Sequence, residues 1–229
     1  MENLSENISA TLLQKGAGTV GFADITKLPL PVRKDFPFAI SIVVALNPKI
    51  ISEIRNGPNT NYYNEYIRVN LLLSELCKAA AAVLTESGFD SYCIEPTTEK
   101  FDPVTISAPF QHKTVATRAG IGWIGKSALL ITKQFGAAIR LATILTDAEL
   151  MCGTPVEKSY CGTCDECVTH CPVKAITGNS WRIGVARDEL FNASVCRKKC
   201  KELSRKESIP STLCGICINV CPWTQKYLK

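Results

Sequence analysis

The chain has 229 residues, 46% of them hydrophobic, and a formal net charge of +5. That length accommodates one medium domain and a smaller one, and its longest aliphatic run, Ala39–Leu46, is too short to cross a bilayer. The polar, acidic start does not read as a secretory signal, so a cytoplasmic protein with no membrane partner is expected.

Residues 4–16 have the spacing of a short amphipathic helix, and the glycines at 16 and 18 close it before a strand at Thr19–Ala23. Phe36–Leu46, rich in Ile and Val, reads as a buried strand. Asn56–Asn61 is a turn-rich loop. Tyr63–Ser87 is the longest helical pattern, with Tyr66, Val69, Leu72, Leu73, Leu76, Ala80 and Leu84 on one broad face and Gly88 at its stop. A strand at Ser91–Ile94 and a helix at Gln111–Ala119 follow. Leu129–Thr132 and Ile139–Leu145 read as a strand pair across Gln134–Gly136. This alternation predicts an α+β or α/β class. From Cys152 onward short segments, prolines and cysteines take over, which predicts a domain boundary near residue 150. Residues 151–229 carry twelve Lys/Arg against seven Asp/Glu, so the whole positive excess lies there. Much of it is concentrated in Arg197–Lys201 with Arg205 and Lys206, a run suited to an acidic electron donor or to RNA.

Seven of the twelve cysteines form two ferredoxin runs. Cys161, Cys164, Cys167 and Cys171 with Pro172 give C-x2-C-x2-C-x3-C-P, and Cys214, Cys217 and Cys221 with Pro222 give C-x2-C-x3-C-P. This is the spacing that wraps backbone around a [4Fe–4S] cluster, with the cysteine before proline reaching to the neighbouring cluster. Zinc ribbons share the C-x2-C pairs but need neither the third cysteine nor the C-P ending. Crossed ligation predicts one cluster from Cys161, Cys164, Cys167 and Cys221. The second takes Cys171, Cys214, Cys217 and one of Cys196 or Cys200, with Cys196 favoured. Cys77 and Cys93 fall in helix and strand patterns and read as packed apolar residues, and Cys152 is left open.

Gly120, Gly122, Gly125, Lys126 and Ser127 satisfy both the P-loop and the dinucleotide-fold spacings. Both patterns require a strand before the glycines and a helix after them. Here a helix precedes and a strand follows, so neither is expected.

The segment His112–Ile131, together with Ile144–Asp147, the paired cysteine runs and the Cys221-Pro222-Trp223 ending, resembles the epoxyqueuosine reductase family over most of residues 10–225. The resemblance implies a nitroreductase-like, corrinoid-reductase-type α/β domain (1–150) followed by a two-[4Fe–4S] ferredoxin domain (151–229). It implies a reductase that passes electrons from a reduced ferredoxin or flavodoxin-type donor through both clusters to a cobalamin and on to a small-molecule or corrinoid substrate. The corrin would meet backbone at a tight Gly120–Gly125 turn, with Lys113, Arg118, Gly122, Trp123 and Lys126 beside it. The family's aspartate acid falls on Ile106 here, with Asp102 nearby. Tyr62, Tyr63 and Tyr66 are the alternative proton donors, and His112, at a position usually acidic in the family, is a candidate acid, cobalt-side ligand or capping residue. The queuosine enzymes continue into helical repeats that bind tRNA, whereas this sequence ends seven residues after Pro222. A tRNA partner is therefore expected only with a helper domain. The competing expectations are an electron carrier without a corrin, and tRNA modification with a partner subunit.

Overall fold

The computed structural model describes residues 4–97, 102 and 104–229. Packing gathers them into two compact units of three segments each: residues 1–45, 69–121 and 140–156 in the first, and 46–68, 122–139 and 157–229 in the second. The sequence suggests a single cut near residue 150. The difference arises because residues 46–68 and 122–139 pack with the cysteine-rich segment, for reasons given below.

The first unit holds a four-stranded sheet of order β1 (Thr19–Asp24), β2 (Phe38–Ala45), β6 (Ile139–Thr146) and β3 (Ser91–Ile94). β1 runs antiparallel to β2, from Thr19 opposite Val43 to Asp24 opposite Phe38. β3 runs antiparallel to β6, from Ser91 opposite Thr146 to Ile94 opposite Thr143. β2 is buried along almost its whole length, which is why it reads as a continuous aliphatic run rather than an alternating one. The helices at Leu4–Gln14 and His112–Arg118 form where expected. Ala23, Ile25, Ala39, Phe110, Val115, Ala119 and Leu145 make one apolar cluster of this unit, flanked by Phe36, Ile94 and Ile121.

The long helix extends over Thr60–Glu86, beginning three residues before its expected start, where the loop was expected to persist. Its buried positions include Tyr62, Glu65, Val69, Leu73, Leu76, Cys77, Ala80 and Leu84. Glu65 rather than Tyr66 faces inward, because its carboxylate accepts from the Asn47 backbone N–H (2.8 Å) and from Arg68 (2.7 Å). Cys77 is buried and Cys93 half-buried, with the Cys93 thiol donating to the Cys77 carbonyl at 3.5 Å. Cys152 is exposed.

Ile139–Leu145 was expected to pair with the strand before Gln134–Gly136. It belongs instead to the main sheet, and β5 (Leu130–Thr132) pairs with a strand the sequence did not announce, β4 (Gly122–Ile124). Two glycines within three residues of the strand had suggested a turn. The helix at Ala193–Lys206 also went unannounced, since its run of cations hides the apolar periodicity.

His112 opens the helix at 112–118 and ties it to the sheet. Its Nε2 lies 3.1 Å from the Glu95 carbonyl, which can only accept, so Nε2 carries the proton. Nδ1 then accepts from the Thr143 hydroxyl of β6 at 2.9 Å. Burial pushes the imidazole down to about 4, with the Arg140 cation acting in the same direction and the Glu95 contact opposing them. Because the folded value lies below the ordinary one, the unfolded chain binds the extra proton first, and stability is lost as pH falls from about 6.5 towards 4. Urea unfolding at pH 7.5 and pH 5.0 should show wild type losing about 2 kcal/mol more than His112→Gln over that interval. Equal losses would show that the ring is not held neutral.

Candidate cluster site

All the cysteines of the two ferredoxin runs lie in the second unit. Cys161 and Cys164 flank a turn, and Cys167 rides on the short helix Glu166–Thr169. Cys196 and Cys200 sit one turn apart on the helix Ala193–Lys206. Cys217 is carried by the helix Ile216–Asn219, and Cys221 caps the helix Pro222–Tyr227. Each proline after the final cysteine of a run marks a change of direction, as a residue that cannot continue a preceding helix should.

Cys161, Cys164, Cys167, Cys217 and Cys221 line one cavity, completed by Gly125, Ile131, Pro222 and Trp223 among others. Tetrahedral zinc would draw four sulfurs to about 2.3 Å from a single point. Five thiols around one cavity exceed the four a tetrahedral zinc takes and suit a polynuclear body instead, and soft thiolates are the donors such clusters take. Burial pushes the Cys167 thiol up to about 12, reinforced by Cys161, Cys221 and Cys164. Burial also raises Cys217, with Cys214, Cys196, Cys167 and Cys171 as the thiols around it. The two neighbourhoods overlap, with Cys167 and Cys217 where they adjoin. Cys196 and Cys200 have their sulfurs 4.0 Å apart in hydrogen-bond contact, and Cys200 also bonds Cys214. Thiols this close are nearer than two ligands of one cubane stand. Of the two, Cys196 is the one beside Cys217.

Charge and dipole groups are arranged to hold anionic sulfur. Lys126 is buried, and its ammonium donates to the Cys164 carbonyl at 2.8 Å, fixing the first cysteine loop. The Cys171 sulfur accepts from the Ala175 N–H at 3.3 Å. Cys214 is lowered to about 7, first by the Cys200 hydrogen bond and further by the Ile216 N–H and Lys199. Cys221 is raised by burial but receives the Thr224 and Trp223 N–H groups at the start of its helix, where orphan donors point outward.

The earlier segments serve as walls. The β4–β5 hairpin brings Gly125 so close that a Cβ there would lie 3.4 Å from the Cys161 sulfur. Trp123 packs edge-on against Tyr160 and Trp223, at centroid distances of 5.3 and 5.1 Å. The Asn219 amide donates to the Ile51 carbonyl at 2.8 Å, and the Tyr227 hydroxyl donates to the Leu46 carbonyl at 2.9 Å. Tyr62 is buried, and its ring would lie 3.2 Å from a Cβ at Gly215. Sequence reasoning did not find Thr224. Its hydroxyl accepts from the Ala137 N–H at 2.9 Å, and it packs against Gly136.

The remaining candidates are placed as follows. Tyr63 and Tyr66 are half-buried on the long helix. Lys113 and Arg118 lie on the helix His112–Arg118 of the first unit. Arg118 lies near Asp24, whose carboxyl is lowered first by Thr26 and also by Arg118 and Lys27. Gly120 is exposed at the end of that helix, whereas Gly122 and Trp123 belong to β4. The segment is therefore not one continuous turn, and Lys126 is engaged by the cluster loop. Asp102 is exposed, and the Val104 and Thr105 N–H groups hold its carboxyl low, so it is ionised at neutral pH. Ile106, at the expected acid position, has φ +52°.

The family profile of the 4Fe-4S double cluster binding domain matches residues 160–224. An epoxyqueuosine reductase of Atelocyanobacterium thalassa is 31% identical over 220 residues, covering 90% of this chain and 67% of that protein. A solved reductive dehalogenase, reported to suggest a mechanism for B12-dependent dehalogenation, superposes with TM-score 0.72 at 16% identity over 96% of this chain and 31% of that one. Epoxyqueuosine reductase from Streptococcus thermophilus superposes with TM-score 0.62 at 21% identity over 96% of this chain and 65% of that one. In the curated epoxyqueuosine reductase of Cyclobacterium marinum the match takes in 38% of the relative's length, so this chain spans only part of several proteins it resembles.

Gly136 has φ +58°, and any Cβ there would run into the Thr224 backbone. Gly136→Ala must therefore displace the chain just after Cys221. Anaerobically reconstituted Gly136→Ala should hold about half the iron of wild type, read by iron assay and visible absorbance. Full iron content would show that the Thr224 contact does not support the cluster.

Proposed function

The chain belongs to the epoxyqueuosine reductase family, and on that premise we propose that it is a reductase that draws electrons through two [4Fe–4S] clusters to a cobalamin-type cofactor. The observation that carries the electron path is the double thiol neighbourhood meeting at Cys167 and Cys217. We assign Cys161, Cys164, Cys167 and Cys221 to one cluster, and Cys171, Cys196, Cys214 and Cys217 to the other.

Family membership and the fold shared with a B12-dependent dehalogenase support the corrinoid. A corrinoid supplies a cobalt centre that accepts electrons singly and delivers them to a substrate. Among this chain's residues, the exposed backbone of Gly120 and the guanidinium of Arg118 suit contact with corrin side groups. Lys126 does not, because its ammonium is engaged at Cys164. His112 is neutral with both ring nitrogens committed, and Asp102 is ionised, so neither donates a proton at neutral pH. The phenols of Tyr63 and Tyr66 are the proton donors we favour. The substrate class is a small molecule or the corrinoid of another protein.

For the electron donor we favour an acidic ferredoxin or flavodoxin. Lys198, Lys201 and Arg205 are exposed and share one face of the helix Ala193–Lys206, directly opposite the face that carries Cys196 and Cys200. RNA competes for the same cations, and one solved epoxyqueuosine reductase contains an epoxyqueuosine-modified tRNA stem loop.

Anaerobic reconstitution should give about eight irons per chain, and hydroxocobalamin added before desalting should be retained at about one equivalent. Clusters without retained corrin would leave an electron carrier in place of the reductase. In stopped flow, reduced flavodoxin should reduce the Lys198→Ala/Lys201→Ala/Arg205→Ala protein about ten-fold more slowly than wild type at low salt, and the two rates should converge at high salt. Equal rates at low salt, or a loss confined to tRNA binding, would remove the donor assignment.

A further inference from the structure

Among the described residues, three buried side-chain polar atoms have no hydrogen-bond partner: Ser41 Oγ, Asn219 Oδ1 and Trp123 Nε1. A serine hydroxyl can rotate, and an amide oxygen needs a donor. The indole nitrogen differs from both, because it can only donate. Trp123 is also the largest fully buried side chain, at 1% exposure. Buried tryptophan N–H groups nearly always find an acceptor, since an unmet donor in a dry interior is costly. An acceptor therefore belongs beside Trp123.

Three observations place it. Trp123 is directly opposite Ile131 in the β4–β5 hairpin, and directly opposed residues project from the same face. Ile131 lines the thiol cavity, as does Gly125, two residues further along the same strand direction. Trp123 also touches Trp223, another lining residue, and Tyr160, which precedes Cys161. The wall behind those thiols is thus apolar and aromatic apart from one hydroxyl and one engaged ammonium, and the unmet N–H belongs to the ring packed directly against that wall.

We propose that Trp123 is a hydrogen-bond donor to sulfur of the cluster bounded by Cys161, Cys164, Cys167 and Cys221, and that it raises the potential of that cluster. The inference rests on the two-cluster reading above. Sulfide and thiolate sulfur in such a cluster are acceptors with excess negative charge. Reduction by one electron, from the 2+ to the 1+ core, makes them more negative, so an N–H aimed at them favours the reduced state. The proton stays on nitrogen throughout.

The test is a dithionite redox titration followed by EPR on the reconstituted protein. Trp123→Phe keeps an aromatic body and removes only the donor. It should shift one of the two cluster potentials downward, by about ten-fold in the reduction equilibrium or about 59 mV for one electron, and leave the other in place. Unchanged potentials at full iron content would overturn this proposal alone, and an ordered water would then be the partner. Fewer than about four irons per chain in wild type would overturn the cluster reading and this proposal with it. If Trp123→Phe fails to fold, wild type labelled with ¹⁵N-indole decides the matter. Pulsed EPR of the reduced protein should show a ¹⁵N coupling to one cluster, and its absence would overturn the assignment.

Discussion

Nine of the twelve cysteines fall between residues 161 and 221, and packing them into one compact unit is the constraint the rest of that unit answers to. Buried thiolates repel one another, and burial alone pushes Cys167, Cys217 and Cys221 away from ionisation. Without iron the site favours protonated thiols. With iron, each sulfur gains a bond that outweighs its desolvation, so metal binding and consolidation of this unit are coupled. The positive excess of residues 151–229, the buried Lys126 and the N–H groups at Cys171 and Cys221 all act in the same direction, by favouring negative charge on sulfur.

That constraint explains the discontinuous second unit. A segment of short turns and helices of four to six residues, with one longer helix rich in cations, has too little apolar surface to enclose two clusters by itself. It recruits ready-made pieces: the β4–β5 hairpin as one wall, and the segment around Ile51, Ile54 and Tyr62 as another. The recruitment is by backbone as much as by side chain. Asn219 and Tyr227 donate to carbonyls at Ile51 and Leu46, and Thr224 accepts from Ala137. A boundary inferred from composition changes where the cysteines begin. A boundary drawn by packing follows whatever covers them.

The cysteine spacing made the double-cluster domain legible, because a repeated x2 interval with a closing C-P has few physical uses. The sheet strands and the long helix were legible for a similar reason: their apolar periodicity is strong. Glycine misled at β4. Gly122 sits in a strand because a Cβ there would strike the Ile131 carbonyl, so its absence serves close pairing and not a turn. Thr224 and Glu65 were invisible, since each is polar, buried and held in part by a distant partner, Ala137 and Asn47 respectively. His112 looked like a candidate acid because it stands at a position usually acidic in the family it resembles. Its environment was the missing information: a carbonyl and a hydroxyl from opposite sides fix one tautomer and take up both nitrogens.

On the proposed reading, electron and proton handling are separated chemically in this molecule. The lining of the thiol cavity consists of sulfur, apolar or aromatic side chains, backbone, one hydroxyl and one engaged ammonium. Such a wall moves electrons well and protons poorly, since a cluster changes charge without gaining or losing a proton. The same dryness magnifies any single dipole aimed at the sulfur, because little water competes with it. An indole N–H is well suited to such a position: it carries no net charge to desolvate, it cannot ionise, and its direction is fixed by a ring locked between Tyr160 and Trp223. A lysine in the same place would have to be buried as a cation or give up its proton. A hydroxyl could turn away. The large aromatic at Trp123, bulky for a phosphate loop, is therefore consistent with a strand whose task is to present one fixed donor to an anionic cofactor.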